Sequence, residues 1–79
     1  MNWVDIVKDI HRNLDANGLH EISYEIGEEH KKGGTPGEMF TLVVAKLIAI
    51  KEHQPDVYAV IREETEWMIA YAKVIGYQR

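Results

Sequence analysis

Glu64 stands where a carboxylate is hardest to place. On a helix from about 56 to 75, the residues three and four positions away are Val60, Ile61, Trp67 and Met68. A carboxylate in such an apolar arc must be paired, hydrogen-bonded, neutralised or near an opening, because isolated burial of charge is costly. Two roles fit it. One is a metal ligand or a general acid/base with raised proton affinity; the other is a structural hydrogen-bond acceptor. His30 and Lys46 are its expected donors. His30 extends the stripe Leu19, Ile22, Ile26 and could face Glu64 or the start of the third helix. Were His30 a metal ligand, Glu29 and His53 would be its additions, but a metal needs several converging donors and no familiar spacing joins these. A histidine near a helix C-terminus is also favoured by the dipole alone. His11 borders the apolar side of the first helix, and His20 follows a turn. Ser23, the only serine, lacks a nucleophile-elbow context.

The pattern Glu25-x-x-Glu28 resembles the paired acids of all-α, magnesium-dependent nucleotide pyrophosphohydrolases. The resemblance covers one short motif and implies acids that hold a metal against phosphate oxygens. The family's second acid pair should follow on the next helix, where Glu38 and Glu52 are too far apart to form it. Glu63-x-x-Glu66 comes later and turns outward on the helical wheel. The glycines Gly33, Gly34 and Gly37 lack the preceding strand and the Gly-Lys-Ser/Thr ending of a phosphate loop. Capping accounts for them: Gly33 is expected to end a helix in left-handed backbone, Thr35 to cap the next, with Pro36 at its first position and Glu38 three residues past the cap.

Composition excludes several classes. With 79 residues and no cysteine, the chain is one small domain, 1–79, with neither disulfides nor thiolate metal ligands. Its 46% hydrophobic content is that of a globular protein. The net charge is −4, from nine basic and thirteen acidic residues, which disfavours a nucleic acid or an anionic membrane as partner. The apolar run Met39 to Ile50 is interrupted by Lys46 and falls short of the ~20 residues of a membrane span. No secretory signal is visible, so the expected location is cytoplasmic. A helix-turn-helix is excluded because the third helix is too apolar and the fourth too acidic to enter a groove.

Four helices should position these residues, over about 2–16, 19–32, 36–53 and 56–75. In the first, Asn2 caps, Trp3, Ile6, Val7, Ile10 and Leu14 share one side, and Asn17-Gly18 is the stop. The second is less regular: Ile22, Tyr24 and Ile26 also alternate as a short strand would, and Gly27 weakens a helix. Helix is preferred because a lone strand would have no partner. The third is apolar around half its circumference, with Thr41, Ala45 and Ala49 in the remaining strip, so it is central or packs against a second chain. In the fourth, the inner arc is Val57, Val60, Ile61, Trp67, Met68, Tyr71, Ala72, Val74 and Ile75, ended by Gly76. Tyr58 and Ile69 fall outside that arc, near Thr65 and Arg62, as scattered surface residues or part of a binding patch.

The reading is an all-α, compact four-helix bundle: a small acidic protein-binding or regulatory module, with another protein or a second copy as partner through helix 3 or 4. No catalytic, cofactor-binding or metal residue is assigned, and no cofactor is implied. The alternative is a metal-dependent phosphohydrolase-like enzyme or enzyme subunit using Glu25, Glu28 and Glu64.

Overall fold

The computed structural model describes residues 2–76. Its helices are α1 (Trp3–Ala16), α2 (His20–Lys32), α3 (Pro36–His53), α4 (Pro55–Val60) and α5 (Arg62–Val74). Among the described residues there is no strand. Ile22, Tyr24 and Ile26 lie within α2, whose backbone groups are satisfied internally, as a strand without a ladder could not manage.

Local signals set most boundaries. The Asn2 side chain accepts from the Val4 N–H at 3.0 Å and caps α1. At the other end Gly18 adopts φ 74. The Leu19 N–H donates to the Leu14 carbonyl at 2.8 Å and the Gly18 N–H to that of Asp15 at 3.1 Å. That pair of bonds is a Schellman closure, and Leu19 folds back onto the core. Thr35 caps α3 by accepting from the Glu38 N–H at 3.2 Å. Gly33 departs from its expected role. It is extended, with φ −73 and ψ 134, and not left-handed. Its glycine is required by proximity: a Cβ there would stand 2.5 Å from the Met39 nitrogen and 2.7 Å from its Cα.

α3 is the central helix, packing against α2, α4 and α5. Phe40, Val43, Val44, Leu47 and Ile50 are buried, so most of its wide apolar arc is filled from within the chain, while Met39, Leu42 and Ile48 are only partly buried. α1 contributes Ile6, Val7, Ile10 and Leu14 to the same core.

The expected fourth helix over 56–75 is in fact two. The chain breaks at Ile61, with φ −120 and ψ 25, and the Ile61 N–H donates to Tyr58 at i−3. Neither Gly nor Pro marks the break. Ile61 is fully buried, and ties beyond it come from other helices: Asn13 to Glu64 and Lys51 to Glu66. Tertiary contacts therefore override a locally helical sequence. The buried stripe is Val57, Ile61, Thr65, Met68 and Ala72. Thr65 thus lies inside the core and not beside it. Val74 and Ile75, expected in the inner arc, are 82% and 52% exposed. Val74 lies across the helix from the stripe, and Ile75 is already the cap. Gly76 follows at φ 78, the stop the sequence predicts.

Candidate functional site

Glu64 lies in the first turn of α5, directly after the break. It is half-buried. One carboxylate oxygen accepts from the Asn13 amide of α1 at 2.6 Å. Neither expected donor reaches it. Lys46 pairs with Glu25 at 2.8 Å, and the His30 ring lies 5.5 Å from that of Trp3. The reason is topological. α2, which carries His30 and Glu25, packs on α1 and α3, and α5 packs on those same two helices. Around Glu64 runs an open groove of ≈ 350 Å³ lined by Asn13, Asn17, Arg62 and Glu63 among others. Its carboxamides, carboxylates and guanidinium can hydrogen-bond a polar ligand. None of the named groups is a hydroxyl or thiol nucleophile.

The acids that could have formed a metal centre are dispersed. Glu25 is held by Lys46, Glu28 by Lys31 at 3.3 Å and Glu29 by Lys32 at 2.6 Å. His53 is exposed at the end of α3. Among the described residues no three His, Asp or Glu side chains converge as a metal would require. The structure therefore does not gather Glu25, Glu28 and Glu64 into one site.

Sequence reasoning missed a pairing of His11 and Ser23. Nδ1 of His11 on α1 is 2.7 Å from the buried Ser23 hydroxyl of α2. Gly27, one turn on, lies beside the imidazole, where a Cβ would make only an ordinary contact at 3.8 Å from its Cε1. Burial pushes the His11 proton affinity down, Asp15 acts against that, and His30 adds to it. The available signal was weak: each residue borders an apolar stripe on its own helix.

A second network spans the break. Glu66 of α5 accepts from Lys51 of α3 at 2.7 Å and from the Tyr58 hydroxyl of α4 at 2.7 Å. Lys51 also stands 5.7 Å from the Tyr58 ring centre. Hydrogen bonds from Lys51 and then Tyr58 lower the Glu66 pKa, and the same bonds raise those of Lys51 and Tyr58. Tyr58 is thus engaged within the fold and packs on the core.

At the opposite end of α5 the surface is aromatic. Phe40 meets Trp3 and Tyr71 edge-on, at 5.4 and 5.6 Å, and Trp67 stacks on Tyr71 at 5.1 Å. These are favoured ring geometries. Trp3, Phe40 and Tyr71 line a half-open groove of ≈ 350 Å³ that Ile75 also borders.

No protein-family model matches the sequence, and comparison with curated proteins and with solved structures finds no significant match.

Proposed function

We propose that this chain is a small acidic, cytoplasmic protein-binding module whose partner is another protein or a second copy of itself. The observation carrying this reading is the exposure of Ile75, 52% accessible, on the rim of the Trp3, Phe40 and Tyr71 groove, with its chain neighbour Val74 82% accessible. Exposed aliphatic side chains at and next to an aromatic groove are the kind of apolar surface that marks interaction sites. The net charge of −4 favours a protein over a nucleic acid as the occupant. Among the described residues no helix is long and apolar enough to cross a membrane.

The test compares the wild type with the double variant Val74→Asp, Ile75→Asp. Sedimentation across a concentration series should show self-association that the variant loses, or affinity capture should retain a protein that the variant releases. A wild type monomeric at high micromolar concentration, with both forms retaining the same proteins, would reject the reading. A specific thermal shift with Mg2+, Mn2+ or Zn2+ would move the argument to a metal enzyme instead.

A further inference from the structure

The two seams that hold α2 are built from different chemistry. Against α3, α2 is tied by a lysine–carboxylate pair, Lys46 with Glu25 at 2.8 Å. Against α1, the side-chain ties among the described residues all involve histidine. His11 meets Ser23 at 2.7 Å, His20 meets Asp15 at 3.0 Å, and the His30 ring lies on Trp3 at 5.5 Å. Histidine is the side chain whose ordinary charge change falls between pH 5 and 8. One seam of α2 therefore carries an imidazole at each of these side-chain ties, while the other is fastened without histidine.

We propose that the α1–α2 seam is an acid-sensitive latch, in which protonation of His11 loosens α2 from α1 while α2 stays fastened to α3. The three histidines sit in different surroundings. His20 and Asp15 are exposed at 73% and 51%, so their pairing is screened by water. The His30 ring stands against Trp3, tilted by 46°. His11 is the one that loses. It is half-buried, its partner Ser23 is a neutral and buried hydroxyl, and a charged His30 repels it. The compensating charge is Asp15, one turn along α1, which is shared with His20. α4 and α5 also pack on α1, and among the described residues the charges that act on His11 are those of Asp15 and His30.

The sign follows from linkage. Burial holds the folded His11 below its ordinary value of 6.5, so the unfolded chain takes up the proton first. The stabilisation is complete above about that pH and is lost as pH falls through the folded value. The experiment follows the His11 ring protons and the amide protection factors of the intact chain by NMR from pH 7.5 to 5. The expected result is that His11 titrates below 6.5 and that α1–α2 amides lose protection several-fold more than those of α3. His11→Gln, which can still donate to Ser23, should abolish that difference, and His20→Gln should keep it. If His11→Gln does not fold, the wild-type titration decides alone. His11 titrating at or above 6.5, or protection falling equally in all helices, would overturn the proposal.

Discussion

Thr65 is the residue whose chemistry fits its surroundings least. Its side chain is fully buried and its hydroxyl has no hydrogen-bond partner among the described residues. A buried, unsatisfied hydroxyl costs about 1–3 kcal/mol. Thr65→Val keeps the shape and removes the polar atom, so it should stabilise the chain by ~1 kcal/mol, read from urea or thermal unfolding. Gly33 works the other way. A methyl group there meets the Met39 backbone, which cannot step aside as a side-chain tip could. Gly33→Ala should cost about 1–3 kcal/mol by overpacking in the same assay. Glu64 is milder than its place in the sequence suggests. Half-buried and bonded to Asn13, it should tolerate Glu64→Gln within about 0.5 kcal/mol, because the amide oxygen can still accept. Glu64→Leu should cost ~1 kcal/mol by leaving the Asn13 amide without its acceptor. The sequence marks Glu64 as unusual because helical spacing alone surrounds it with apolar neighbours. It could not name Asn13, since that contact joins the first and last long helices of the bundle. Thr65 was misplaced for a different reason: it stands four residues after Ile61 and three before Met68, on the buried stripe itself, and its hydroxyl rather than its spacing argued against burial.

At the scale of the element, capping was legible and the break was not. Asn2, Gly18 and Thr35 act through bonds within a few residues of themselves, and Pro36 through its fixed φ at the first turn of α3, so their types and order suffice to place α1, α2 and α3. The break at Ile61 has no such signal. It is spanned by Tyr58 and Glu66, and Lys51 of α3 fastens that pair. These charges are solvent-accessible, so the clasp should respond to both pH and salt. Glu66 is held below its ordinary value of 4.5, first by Lys51 and then by Tyr58. A carboxylate depressed in the folded state adds stability above its unfolded value, and that stability is lost as pH falls through the folded value. Lys51→Met should therefore lower stability at neutral pH and make the acid limb below about pH 4.5 shallower. Thermal unfolding across pH checks this, and high salt should narrow the difference between the two proteins. Parallel acid limbs for the two proteins would show that the Lys51–Glu66 pair is geometry without energy.

For the whole molecule the question is what the apolar surface of α3 is for. Read as sequence, an arc covering half a helix admits two answers: a central helix or a face for a second chain. The bundle supplies the first, because α2, α4 and α5 cover Phe40, Val43, Val44, Leu47 and Ile50. That was legible as a choice but not as an outcome, since coverage depends on where three other helices dock. It also removes the need for a partner on α3, and among the described residues it leaves Val74 and Ile75 at the end of α5, with Tyr24 of α2, as the exposed large hydrophobic side chains. The two routes to self-association separate cleanly at Ala49. It is exposed on the small-residue strip of α3, where lysine is a good helix former and meets water. Ala49→Lys should leave monomer stability unchanged within about 0.5 kcal/mol. If association runs through the α5 end, Ala49→Lys should also leave the sedimentation profile unchanged, while Val74→Asp with Ile75→Asp shifts it toward monomer. If Ala49→Lys alone abolishes association, close approach along α3 is the interface, because a lysine on that strip would prevent it.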